Sequence, residues 1–134
     1  MTSKPLIEVA IKLTGQRFSP EDVTAVIQLA PTKTWRLGDS IQGTKLKRKN
    51  DGWIFGLSQR DTYNMDAFLR ELLDIIEPYN DGIAEAVNRF SLEKEISFGV
   101  YIRGETPASW FSVDTLHRVA ALQASLDIDL MLTG

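Results

Sequence analysis

Three stretches of the chain alternate between apolar and polar residues with a period of two. In "IEVAIKL", Ile7, Val9, Ile11 and Leu13 share one face, while Glu8, Ala10 and Lys12 share the other. "ISFGVYI" repeats the pattern through Ile96, Phe98, Val100 and Ile102, and "LDIDLML" through Leu126, Ile128, Leu130 and Leu132. Period two with β-branched and aromatic residues predicts half-buried strands. Between residues 32 and 58, "TWRL" and "WIFGLS" predict two shorter extended segments, the second with Trp53, Phe55 and Leu57 on one side. The stretch between them is rich in Gly, Asp and Asn, and its "NDG" predicts a tight turn within one or two hairpins.

Helical spacing fills the remainder. "SPEDVTAVIQLAP" opens with Ser19 as N-cap, Pro20 at the first helical position and Asp22 placed to answer the cap. Val23, Val26, Ile27 and Ala30 line one face, and Pro31 stops the helix. "NMDAFLRELLDII" predicts the strongest helix, with Phe68, Leu69, Leu72, Leu73, Ile75 and Ile76 inward, Asn64 or Asp66 as cap, and Pro78 closing it. "DGIAEAVNRF" predicts a shorter helix with Ile83, Val87 and Phe90 inward. A last helix begins at Ser112, with Asp114 in its first turn and Leu116, Val119, Ala120 and Gln123 at helical spacing.

The first and last helices open alike. A shift of 93 positions sets Phe18 on Phe111, Ser19 on Ser112, Val23 on Leu116, Val26 on Val119 and Leu29 on Leu122. An alternating strand precedes each copy and an extended segment follows. The expectation is an internal repeat: an α+β domain of two split βαβ-like halves, forming one mainly antiparallel sheet with helices packed on one face, ferredoxin-like in character. N-cap chemistry alone also makes helix openings look alike.

Composition changes this picture little. A chain of 134 residues with 43% apolar and 25% charged residues suits one α+β domain over residues 1–134. No apolar run approaches the roughly 20 residues of a membrane span. "MTSKPLIEVA" does not read as a signal peptide, and the chain has no cysteine, which fits a cytoplasmic address. Charge is uneven: residues 1–67 carry 10 Lys+Arg against 7 Asp+Glu, and residues 68–134 carry 5 against 11. Such asymmetry can mark a charged partner surface, or simply a solvated exterior.

Candidate chemistry is sparse. Absent cysteine rules out thiolate metal sites and cysteine nucleophiles, and no P-loop, dinucleotide fingerprint or nucleophile elbow is present. The lone histidine, His117, falls beside Leu116 on the expected core face, a structural position rather than a catalytic one. Asp127 and Asp129 share the polar face of the last strand, roughly 7 Å apart. Such carboxylates can hold a cation, but can equally stay solvated or pair with Lys12 and Arg103. The basic run of Lys45, Lys47, Arg48 and Lys49 lies near Trp35 and Trp53 in sequence. In an acidic chain it reads as a solvated hairpin tip, and no nucleic-acid partner is expected. Trp35, Trp53 and Trp110 each flank a turn, where a large ring caps a core edge or, left exposed, anchors a partner.

"FSPEDVTAVIQLAPTKTWRLGD", "DGWIFGL", "FLRELLDIIEP" and "LDIDL" together resemble the bacterial domain of unknown function family numbered 4279. The resemblance rests on Phe18, Pro20, Val23, Thr24, Leu29, Pro31, Trp35, Gly38, Asp39, Trp53 and Asp129, and runs over nearly the whole chain. It implies a small bacterial α+β domain and brings no reaction, cofactor or catalytic residue. It draws interest to "TWRLGD". A plain turn, with Gly38 at positive φ and Asp39 bonding the backbone, accounts for the Gly-Asp pair. The functional alternative is a binding surface edged by Trp35, Arg36, Asp39 and Trp53.

Two functional readings follow. One is a protein-interaction module, adaptor or immunity-type, that binds another protein or itself, as a homodimer through the edge strand "LDIDLML". The other is a small-ligand binder or minor enzyme with a pocket near Trp35, Trp53 and Asp39. Neither reading requires a cofactor, a metal or a membrane.

Overall fold

Alternation is realised most fully in β1 (Leu6–Gly15), where Ile7, Val9, Ile11 and Leu13 are all buried. The computed structural model describes residues 3–132; Met1, Thr2, Thr133 and Gly134, the ends of the expected domain, lie outside the described residues. After β1 come α1 (Pro20–Ile27), β2 (Lys33–Trp35), β3 (Asp51–Asp61), α2 (Met65–Ile76), a 3₁₀ turn (Glu77–Tyr79), α3 (Asn80–Phe90), β4 (Glu93–Ile102), α4 (Val113–Ala121) and β5 (Ser125–Leu132). One five-stranded sheet has the order β2-β3-β1-β4-β5. Its pairings are antiparallel except β4 with β5, which run parallel.

Register puts the apolar positions of neighbouring strands on one face: Leu13 opposite Trp53, Ile11 opposite Phe55 and Ile96, Val9 opposite Phe98. The helices cover that face. Val23 and Ile27 of α1, the Phe68–Ile76 face of α2, Ile83 and Ala86 of α3, and Val119 and Leu122 of α4 join the sheet residues in one buried cluster. The chain is therefore a single α+β domain, with the first and last helices on the same side of the sheet.

The two halves are not paired alike. β3 lies between β1 and β2, so the first βαβ unit is split as expected. β4 and β5 are direct parallel neighbours, so the second is an ordinary, unsplit crossover. The helix openings differ too. Ser112 Oγ accepts the Thr115 N–H at 3.1 Å, a side-chain cap. Ser19 caps α1 through its backbone carbonyl, which accepts from the Asp22 N–H at 3.0 Å, while its hydroxyl bonds Glu21. Buried residues in α1 are Pro20, Val23 and Ile27, against Thr115 and Val119 in α4. With caps aligned, the inward faces are one residue out of phase, a rotation of about 100°.

Three further expectations are corrected. Asp51 and Gly52 of "NDG" form no tight turn and instead begin β3. α2 ends at Ile76, two residues before Pro78, as expected, but Ile75, expected inward, is exposed. Leu116 and His117 face solvent, and Thr115 takes the inward position. The hairpin expectation holds: β2 pairs with β3, and a bridge between Ser40 and Lys47 closes a second, smaller one.

Candidate functional site

The residues singled out in "TWRLGD" and "DGW" fall on two sides of the sheet. Trp35 pairs with Gly52 and Thr34 with Trp53, and neighbours along a strand point to opposite faces. Trp53 belongs to the core, where its indole N–H donates to Thr24 Oγ1 at 3.0 Å. Trp35 lies on the uncovered face, its ring laid over Gly52 so closely that a Cβ there would stand 2.0 Å from Cε2. Its N–H donates to Asn50 Oδ1 at 3.1 Å, and Arg48 stacks on its face with Cζ 4.1 Å from a ring centroid. Trp35 is thereby buried between glycine and guanidinium.

Asp39 and Arg36 make the turn that the sequence predicts. The Arg36 N–H donates to Asp39 Oδ2 at 2.8 Å, the Asp39 N–H returns to the Arg36 carbonyl at 3.0 Å, and Gly38 has φ +89°. The Arg36 guanidinium pairs with Glu21 at 2.6 Å. The Ser19 hydroxyl first, then a backbone N–H, and last the Arg36 charge hold the Glu21 carboxyl below its ordinary range. Beside Trp35 the loop opens a cleft of about 590 Å³ lined by Leu37, Ile41, Leu46 and Arg48. Arg48 is thus part of the packing on Trp35, while Lys45 and Lys47 stay at the exposed tip.

No group of three or more His, Asp or Glu side chains able to hold a metal occurs among the described residues. Asp127 and Asp129 lie on the uncovered face of β5, opposite Ser97 and Gly99 of β4. The partners suggested for them are engaged elsewhere: Lys12 with Glu95 at 3.5 Å, and Arg103 with Asp61. Tyr101, on the same face, has its phenol pushed up by burial and by the nearby charges of Glu8 and Asp129. This end of the sheet is acidic.

The opposite, helix-bearing side of β5 is the least expected feature. Leu126, Ile128, Leu130 and Leu132 share a face, as the alternation predicts, and continue the core face of β4. Cover fails outward along the strand: Leu130 is 60% and Leu132 86% exposed. Helix α4 leaves them bare because it is held toward α2. Arg118 donates to Asp74 at 2.7 Å and to both oxygens of Glu77 at 2.7 and 2.9 Å, and these carboxylates keep its guanidinium well above its ordinary pKa. A buried carboxylate, Asp66, reinforces the contact by accepting the Ser112 N–H at 3.0 Å. At about 100° per residue, Leu116 and Val113 fall on the flank of α4 away from Arg118. Both are exposed, Val113 to 71%, as is Trp110 at 65% just before the helix. Phe111 ties that segment down, its ring 5.7 Å from Phe98, the residue that pairs with Ile128. The result is an apolar ledge along the β5 edge, formed by residues from two elements. Sequence reasoning found its strand half and missed its helix half.

Fold and surface together define a single-domain α+β protein with a helix layer on one face of a mixed sheet and an apolar edge that is unpaired among the described residues. The chain belongs to the family described as a domain of unknown function, DUF4279, whose model matches residues 5–133. No curated protein and no solved structure matches it.

Proposed function

We propose that this chain is a cytoplasmic bacterial protein-interaction module, of adaptor or immunity type, which binds its partner along the β5 edge. The observation that carries the reading is the ledge itself. Among the described residues, a strand of eight residues leaves one edge of its backbone unpaired, with Leu130 and Leu132 exposed on it and Leu116 and Val113 exposed on α4. Added strands gain main-chain hydrogen bonds from such an edge and affinity from the side chains next to it. The test compares immobilised wild-type protein with Leu130→Lys, a change at a solvent-facing position. A bound protein recovered at least tenfold more on wild type supports the reading, and equal recovery on both overturns it.

A second reading, a small-ligand binder, draws on the cleft beside Trp35. It would use Leu37, Ile41 and Arg48 rather than Trp53, which is in the core. A metabolite at 100 times its Kd would stabilise the fold by about 2.7 kcal/mol in a thermal-shift screen, and a flat screen counts against it.

A further inference from the structure

We infer that the occupant of the β5 edge is the same edge of a second copy of this chain, paired antiparallel about a twofold axis through Leu130. The inference rests on the interaction-surface reading above and adds to it a partner and a register.

Symmetry supplies the first step. An isologous contact requires a surface that complements itself, and a strand edge does so when the two strands run antiparallel. Both ledges must then lie on the same side of the joined sheet, so residues of one face meet residues of that face. Four centres satisfy this with at least five of the strand residues from Ser125 to Leu132 overlapping: Asp127, Ile128, Asp129 and Leu130. Three of them set like charges directly opposite, which is destabilising. Centring on Asp127 or Asp129 places that carboxylate against its own twin, and centring on Ile128 places Asp127 against the partner's Asp129. Only Leu130 is free of this conflict. There Leu130 meets the partner's Leu130, Ile128 meets the partner's Leu132, and Asp129 meets the partner's Met131. The two Asp129 groups remain on a diagonal, about 7–8 Å apart.

Area supplies the second step. Five exposed residues line this side: Ile128, Leu130 and Leu132 on β5, with Val113 and Leu116 on the flank of α4 turned away from Arg118. At on the order of 100 Å² apiece, covering them buries about 500 Å² per chain and about 1,000 Å² for a pair, the size of a weak, reversible interface. The ledge is thus large enough for a reversible dimer. The outward flanks of the two α4 helices would meet across the axis above the joined strands, which accounts for apolar residues at Val113 and Leu116.

The absence of cysteine from the chain makes the register directly measurable. Single variants Ile128→Cys, Leu130→Cys and Leu132→Cys are oxidised in the purified protein, with unfolding curves confirming that each is folded. In the proposed register the two Leu130 backbones stand about 4.5–5.5 Å apart, within disulfide reach. Each of the other two positions is separated from its own twin by four residues, roughly 13 Å. Leu130→Cys should form the covalent dimer at least tenfold faster than either neighbour. Sedimentation of the wild type should show a dimer that strengthens as salt screens the Asp129 pair, and Leu130→Lys should be monomeric. A wild type that stays monomeric at about 1 mM, or fastest cross-linking at 128 or 132, overturns the inference. If the purified chain is monomeric while Leu130→Lys still loses a foreign partner, self-pairing fails and the interaction-surface reading stands.

Discussion

Replacing Asp51 with Ala should cost about 2–4 kcal/mol, although the residue has no role at the β5 edge. Its carboxylate accepts the Phe18 N–H at 3.1 Å through Oδ2 and the Leu37 N–H at 2.7 Å through Oδ1. It therefore ties the entry to α1 and the turn after β2 to the first residue of β3. Alanine leaves both amides without their acceptor. An orphaned buried donor costs about 1–3 kcal/mol. Phe18 is buried and Leu37 is partly open to water, so the first loss falls high in that range and the second low. Asparagine keeps one acceptor oxygen but turns an NH₂ group toward the other donor, so Asp51→Asn should lose more than half as much as alanine. Urea unfolding with m near ~1.5 kcal/mol/M would show a midpoint lowered by roughly 2 M for alanine, with m unchanged. Amide exchange at Phe18 and Leu37 should accelerate ahead of the core strands. A cost below about 0.5 kcal/mol would refute the assignment of Asp51 as the shared acceptor.

Two other residues give readable outcomes. Asp66 is buried; burial alone raises its pKa, but hydrogen bonds from Thr115 and Ser112 and the charge of Arg70 outweigh this, and the net shift is downward. A lowered folded-state pKa stabilises above the unfolded value and loses that contribution as pH falls through the folded value. The stability gap between wild type and Asp66→Asn should therefore be full at neutral pH and shrink below about pH 4; a gap independent of pH would contradict it. Gly52→Ala should destabilise by about 1–3 kcal/mol and alter tryptophan fluorescence, because the new Cβ would lie 2.0 Å from a Trp35 ring held by Arg48 and Asn50. Unchanged emission and melting would mean that the ring does not lie over Gly52.

Strand faces were legible in the sequence because period two is a property of the extended backbone and needs no partner. Ile7, Val9, Ile11 and Leu13 are buried as the alternation requires. Burial at β5 was not legible, because alternation says which side chains share a face and not whether anything covers it. Cover there depends on where α4 is drawn by Arg118, whose acceptors are 41 and 44 residues away in sequence. Asp51 is similar: "NDG" is a fair local signal for a turn, overridden by amides 33 and 14 residues distant. Trp35 and Trp53 were expected on one surface because each flanks a turn in neighbouring segments. Their separation follows from register, Trp35 opposite Gly52 and Thr34 opposite Trp53, which no single strand discloses. The Arg36–Asp39 turn was legible, being closed by residues three apart.

The two edges of the sheet show why β5 is the one to read as functional. Edge strands are protected by being short, charged or covered. β2 is three residues long, carries exposed Lys33, and has Trp35 folded inward under Arg48. It offers little backbone to an incoming strand. β5 is eight residues long, and its two charges sit on one face only, leaving Ile128, Leu130 and Leu132 exposed on the other. Carboxylates at alternate positions do not close such an edge. They penalise the registers in which they meet and leave others available, so what they limit is the choice of pairing rather than pairing itself. The same molecule closes its opposite edge by shortening it. That contrast favours reading the length and apolar face of β5 as a contact surface rather than as an unprotected end of the fold.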